Sequence, residues 1–416
     1  MWSSALLGEV CEIIKRGITP KYLDEGGMCV LNQKCVRDHS IDFKLARRHD
    51  VEQKRVPEER IIQMGDVLVN STGVGTLGRV AQLRTETEEP TTVDSHVTIV
   101  RPRVGLFHLE FFGYALIRIE DEIAASGQGL GGQTELARKK LAEAFQINFP
   151  RSLPEQERIV AILDEAFAAI ATATANTEKN LANARELFDG GLNKAFEREK
   201  PMWPSRRFGE LCNFVRGPFG GSLKKSCFVE SGYCVYEQQH AINDQFEQVR
   251  YFVDEKKFNE MARFELRPGD LIMSCSGTMG RVAIAPVNLR RGIINQALLK
   301  LSPSSGLSSG FLKLWMQSAD FQEQIAEQSK GVAIKNVASV KVLKEIAAPL
   351  PPIEEQTSLV SQLSELESAT EGLSELYHQK AAAISELRQS ILHKAFMGEL
   401  AANPSSTERA LSEAGV

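Results

Sequence analysis

Gly73, Gly75 and Gly78 in the stretch NSTGVGTLGR have the G-x-G-x-x-G spacing with which a tight turn brings backbone amides up to a pyrophosphate, and they follow a strand-like run, GDVLV. That chemistry also needs a helix opening at the motif and an acidic residue about 20 positions on for the ribose. The chain instead continues RVAQLRTETEEPTTVDSHVTIVRP, where β-branched residues, Pro90 and Pro102 predict strands and turns. A strand-to-strand turn is the preferred reading, and a dinucleotide-binding enzyme is kept as an alternative. Other reactive arrangements are missing from the sequence: there is no G-x-x-x-x-G-K-[ST], no H-E-x-x-H and no C-x-x-C. Among seven scattered histidines, His96 and His240 are the best placed, and a lone loop His reads as structural or ligand-contacting. The expectation is a non-catalytic chain with no cofactor or metal of its own.

The elements that would position such residues come next. A chain of 416 residues, 43% hydrophobic, predicts two or three packed domains. Neither a signal peptide nor an apolar run near the roughly 20 residues of a membrane span is evident, so a cytoplasmic protein is expected. Seven cysteines without a paired spacing predict buried reduced thiols. The net charge of −5 is unevenly spread: −1 over 1–152, −4 over 153–199, +6 over 200–350 and −6 over 351–416. One long region is therefore basic enough to face phosphates.

The chain is written twice. MWSSALLGEV (1–10) returns as MWPSRRFGEL (202–211), and GDVLVNSTGVGTLGRVA (65–81) as GDLIMSCSGTMGRVA (269–283). LPEQERIVAIL (153–163) returns as PPIEEQTSLVSQL (351–363), and LNKAF (192–196) as LHKAF (392–396). Each copy has a region of short strands and turns followed by a long helix. In the second helix Leu359, Leu363, Leu366, Thr370, Leu373, Tyr377, Lys380, Ile384, Leu387 and Ile391 alternate steps of four and three, the spacing of a coiled-coil seam. In the first, Ile159, Leu163, Ala166 and Ile170 begin a seam that blurs through ATATANT and resumes at Leu181, Ala184 and Phe188. The expected class is α+β: two mixed α/β domains in tandem with two long antiparallel helices and an internal pseudo-twofold repeat. The boundaries are 1–152 and 200–350 for the domains, 153–199 and 351–402 for the helices, and 403–416 for a disordered tail. About 45 helical residues would make a rod roughly 65–70 Å long.

Tandem halves of this kind, each ending in a PxxEQxxIV-like helix, resemble the specificity subunit of type I restriction-modification enzymes. The motifs are FPRSLPEQERIVAILDEAF and PLPPIEEQTSLVSQLSEL at the helices, with GDLIMSCSGTMGRVAI, GIINQALLKL and VDSHVTIVRP in the domains. The resemblance implies two target-recognition domains, each reading one half of a bipartite site in double-stranded DNA. It implies helices that set the spacer and dock two methyltransferase subunits, with nuclease-translocase subunits joining the full complex. The methyl donor, ATP and magnesium would belong to those partners. A coiled-coil interaction adaptor is the remaining alternative.

The candidate DNA-binding residues pair across the halves. Gln33, Lys34 and Arg37 face Gln238, Gln239 and His240; Gln amides suit adenine, and Arg or Lys suits guanine. Asp94, Ser95 and His96 recur at a place comparable to Asn295 and Gln296, and Arg79 matches Arg281. Lys330, Lys335 and Asn336 lie in a polar loop before the second helix. Arg216, Lys224, Lys225, Arg290 and Arg291 belong to the basic region and are expected on phosphates. The first half has only local patches, such as Arg47, Arg48, Lys54 and Arg55.

Overall fold

The computed structural model describes residues 2–130, 133–197, 203–219, 221–276, 278–328 and 340–400. The expected tail at 403–416 lies outside them, as do Lys330, Lys335 and Asn336. Two compact units emerge: Met1–Glu178 with Gln379–Val416, and Lys179–His378. The class is α+β, with the same plan in each unit.

In the first unit Cys11–Arg16, Val97–Pro102, Val67–Asn70 and Val80–Gln82 form an antiparallel sheet in that order. A second sheet holds Thr91–Val93, Met28–Leu31, Arg47–His49 and Tyr22–Leu23, the first two strands running parallel. The second unit repeats the first sheet with Cys212–Arg216, Leu298–Pro303, Leu271–Ser274 and Val282–Ile284. Its other sheet again has a parallel pair, Tyr233–Tyr236 with Gly292–Ile294. Alternation along the strands explains their nearly unbroken apolar runs. Val67 and Val69 join a core with the helix Leu109–Arg118, whereas Leu68, Val97 and Ile99 enter a separate core on the other face. Leu271 and Met273 part from Ile272 and Leu298 in the same way.

Trp2–Leu6 pairs with Gln146–Pro150, and Ser205–Arg207 with Ala347–Pro349, so each domain closes where its long helix starts. The helices run over Leu153–Ala195 and Ile353–Phe396. Buried Gln156 then ties the first to the domain: its Oε1 accepts from His108 N at 2.7 Å, and its Nε2 donates to Pro150 O at 2.8 Å and Leu106 O at 3.3 Å. Gln356 repeats the latch with Ser308 N at 2.8 Å, Pro351 O at 2.9 Å and Gly306 O at 2.8 Å.

The first helix keeps its seam through the stretch where the sequence blurs it, because Ala173 and Thr177 are buried at those positions and the Thr177 hydroxyl donates to Ala173 O. The second is buried at Leu363, Thr370 and Ile391, but Leu373 and Lys380 are exposed, so the stripe is narrower than its heptads predict. In the first unit the Arg388 guanidinium lies over the Phe167 ring; in the second the Leu366 side chain approaches Gly191. The expectation that no run nears a membrane span needs correction. An 18-residue window of Leu153–Ala195 reaches a mean hydropathy of 1.4, with 33% of it buried, because its many alanines count as apolar.

None of the seven cysteines forms a disulfide; six are buried and Cys227 is half-buried. Burial pushes the Cys11 and Cys212 thiols up to about 12. A maleimide applied to the folded chain is therefore expected to label Cys227 well ahead of the other six, read by mass spectrometry of peptides. Equal labelling of several cysteines before unfolding would contradict this packing.

Candidate nucleic-acid interface

The glycine turn is a hairpin. It joins Val67–Asn70 to Val80–Gln82, and Gly73, Gly75 and Gly78 take φ of +108°, +73° and +88°, the left-handed region that side chains avoid. A Cβ on Gly78 would also lie 2.6 Å from the Ala124 backbone. No helix opens at the turn, so the amides that a pyrophosphate would need are absent and the dinucleotide reading fails. Arg79 donates to Gly75 O at 3.1 Å and buttresses the turn. Its counterpart Arg281 is exposed, with no side-chain hydrogen bond or ion pair among the described residues.

Three loops meet at this turn in each unit. In the first, Gln33 Oε1 accepts from the Thr76 hydroxyl at 3.3 Å, and Asn70 Nδ2 donates to Gln33 O at 2.9 Å. The third loop, between the two sheets, is shaped by Asp94, whose Oδ1 accepts from His96 N at 2.9 Å. His96 O takes Ser71 N at 2.8 Å, while its Nδ1 meets the Thr72 hydroxyl at 2.6 Å. The second unit rebuilds the arrangement with other side chains. The Ser276 hydroxyl donates to Gln238 Oε1 at 2.9 Å, Asn295 Oδ1 accepts from Ala297 N at 3.0 Å, and Ala297 O takes Cys275 N at 2.9 Å. Each Gln amide is thus oriented while its NH2 donors and a second lone pair stay available, the groups that a bidentate contact with a base edge uses.

The sequence model described as the type I restriction modification DNA specificity domain matches residues 1–182 and again 202–379, most of the chain. The chain belongs to this family. Its relatives include the EcoBI specificity subunit of Escherichia coli, 33% identical over 141 residues, which are 34% of this chain and 29% of that one. The EcoDI subunit from the same species is 30% identical over 99 residues, 24% and 22% of the two chains. These matches span less than a third of either relative. The putative MjaX specificity subunit of Methanocaldococcus jannaschii is 23% identical over 96% of this chain and 93% of its own. In fold, the HsdS subunit from Thermoanaerobacter tengcongensis superposes with a TM-score of 0.61 at 21% identity, covering 96% and 97% of the two chains. A chain from a study of type I restriction-modification complex assembly reaches 0.78 at 20%, covering 96% and 98%.

For a chain of the type I specificity family, the candidate residues now sort by position. Gln33, Ser95, Gln238 and Gln239 are half-buried around the three loops, while Lys34, Arg37, His96 and Gln296 are exposed. Lys224 and Lys225 are exposed and make no ion pair among the described residues. Several expectations need correcting. His240 is 1% exposed; its Nδ1 accepts from Glu237 N at 2.8 Å and its Nε2 lies 3.1 Å from Gln248 O, so both ring nitrogens are spent inside the fold. Asp94, 3% exposed, and Asn295 form turns, and neither offers its acceptor Oδ1 free to a base. Burial raises the Asp94 carboxyl above its usual range, opposed by the His96 and Val97 amides.

Arg291 binds Glu265 at 3.2 Å and lies over the rings of Tyr233 and Phe258. Burial works against ionisation of Glu265, yet Arg267 and Arg291 hold it below the ordinary carboxylate range, so Arg291 is committed to the fold. Arg290 is exposed over Phe252, and half-buried Arg216 reaches the Cys275 thiol, which burial raises and Arg216 draws back. The first-half patch is also largely engaged: Arg47 stacks on Tyr22, Arg48 grips Glu89 with both contacts at 2.7 Å, and Lys54 donates to Thr19 O. Thr72, Thr76 and Ser276 escaped the sequence reading. The signal was there, since both turns keep a hydroxyl residue just before the first glycine, Thr72 and Ser276, and a threonine after it, Thr76 and Thr278.

Proposed function

We propose that this chain is the non-catalytic specificity subunit of a cytoplasmic type I restriction-modification complex, and that each unit reads one half of a bipartite DNA site through its three-loop platform. One observation carries this reading: the two units bring a Gln, a hydroxyl of the glycine turn and an Asx turn together by equivalent bonds. A pair of modest half-sites on one chain gives high overall affinity because the second contact is effectively intramolecular. The long helices serve as spacer and docking surface for two methyltransferase subunits, with nuclease-translocase subunits in the full complex. The domain limits 1–152 and 200–350 are part of the same proposal. Cofactors of methylation and translocation belong to the partners.

The test is co-expression with the methyltransferase subunits and genome-wide mapping of modified bases. A bipartite motif is expected, and modification without one, or none at all, would reject the proposal. Gln33→Leu and Gln238→Leu should then each relax one half-site and leave the other intact. Loss of a bidentate contact corresponds to about 5- to 150-fold in discrimination at one base pair. Relaxation of both halves by either substitution would show that the platforms do not act separately.

A further inference from the structure

The second unit carries an element that its twin lacks. After the first strand of the antiparallel sheet, Gly17 is followed by 18–26 before Gly27, which precedes the strand Met28–Leu31; after Gly217 the corresponding stretch before Gly232 and Tyr233–Tyr236 is 218–231, five residues longer. The residue after the glycine is buried in both units, Ile18 and Pro218, but the exposed position that follows holds only Thr19 in the first unit. In the second, Phe219 stands 69% exposed, the most exposed aromatic side chain among the described residues. The loop is not adrift from the platform. A Cβ on Gly217 would lie 1.9 Å from Asn295 O and 3.0 Å from the Gln296 backbone, so only glycine lets the chain press against the Asx turn. Arg216, one residue earlier, reaches Cys275 in the glycine turn. Phe219 is therefore held two residues from the point where the loop touches the candidate base-reading surface. Its carbonyl accepts from the Ser222 hydroxyl at 2.8 Å, and the Lys224 stem passes close to Gly221, where φ is +76°. The Lys224 and Lys225 ammonium groups follow, both exposed and without ion pairs among the described residues.

An exposed aromatic ring on an anchored loop, flanked by two unpaired cations, has the composition of an element that stacks on a base while the cations hold the adjoining phosphates. We propose that Phe219 is a specificity-determining contact of the second unit alone, its ring stacking on DNA bases at a step that it opens in that unit's half-site. The proposal rests on the DNA-reading function above. It gives the two half-sites different recognition physics: one read through the three-loop platform only, the other also through the ease with which its bases unstack.

The full-length chain, co-expressed with its methyltransferase subunits, is offered a pool of random-sequence duplexes, and the enriched duplex is then used for affinity measurements. Phe219→Ala is expected to bind that duplex about tenfold more weakly and to lose sequence information in one half-site only, with its thermal unfolding unchanged. Phe219→Tyr should restore both, and Phe219→Leu should not. 2-Aminopurine placed along that half-site should brighten at one step with the native chain and stay dark with Phe219→Ala. If Phe219→Ala keeps the native affinity and motif, the stacking role is overturned while the DNA-reading function stands. Loss of information in both half-sites, or rescue by Phe219→Leu, also overturns it. If the native chain enriches no bipartite motif, the functional reading itself has failed.

Discussion

Gln156→Ala and Gln356→Ala are each expected to cost about 3 kcal/mol of stability, roughly 1 kcal/mol for each hydrogen bond lost. Each glutamine is fully buried, and each makes three hydrogen bonds to backbone groups of the segments beside it. Alanine would leave an amide and two carbonyls without partners in a space too apolar to hydrate them. For a unit of about 200 residues this corresponds to a fall in melting temperature of roughly 6–12 °C by calorimetry. Gln→Glu should rescue neither variant, because a carboxylate keeps the acceptor for the amide but cannot donate to the two carbonyls. A melting temperature unchanged by Gln156→Ala would mean that the latch is not what seats the helix. The two substitutions fall in different units, so their effects should be close to additive.

Replacing Lys224 and Lys225 together by alanine is expected to weaken DNA binding about tenfold at physiological salt. It should also flatten the dependence of log K on log salt by about 1.8, since each phosphate contact contributes about 0.9. The loss should be similar on all sequences, because phosphates carry no base identity. Arg291→Ala should instead lower stability with little change in the salt slope, its charge being committed to Glu265 and two rings. A double variant with the native slope would place the phosphate contacts elsewhere, and binding that ignores salt would rule out phosphate contacts altogether.

Much of the fold was legible in the sequence, for a reason that can be named. A duplicated chain reports each feature twice, and what survives in both copies is structural. The EQ pair at the start of both helices is one case: its glutamine is the latch in each unit. The turn glycines are another, read as strand-to-strand because the residues after Gly78 favour strands, and found in a hairpin. The helix seam was legible where large side chains mark it and illegible through ATATANT, because Ala173 and Thr177 fill a buried position without looking apolar. Conversely, Leu373 and Lys380 keep the heptad spacing yet stay exposed, since periodicity cannot tell whether anything covers a face.

The candidate interface was legible only as neighbourhoods. Segments 31–38, 70–79 and 94–96 are far apart in the chain, and nothing local says that their loops meet. Matching by type placed His240 opposite Arg37, but the imidazole is enclosed by its own turn. It also treated Arg291 and Lys224 alike, although one is neutralised by Glu265 and the other is not. The sequence by itself determined the duplication, the long helices, the hairpin nature of the glycine turn and the family, because these depend on residue order and periodicity. Tertiary structure alone decided which polar groups are spent on the fold and which face outward. A side chain's freedom to meet DNA depends on the partners that burial brings to it, and those come from distant parts of the chain.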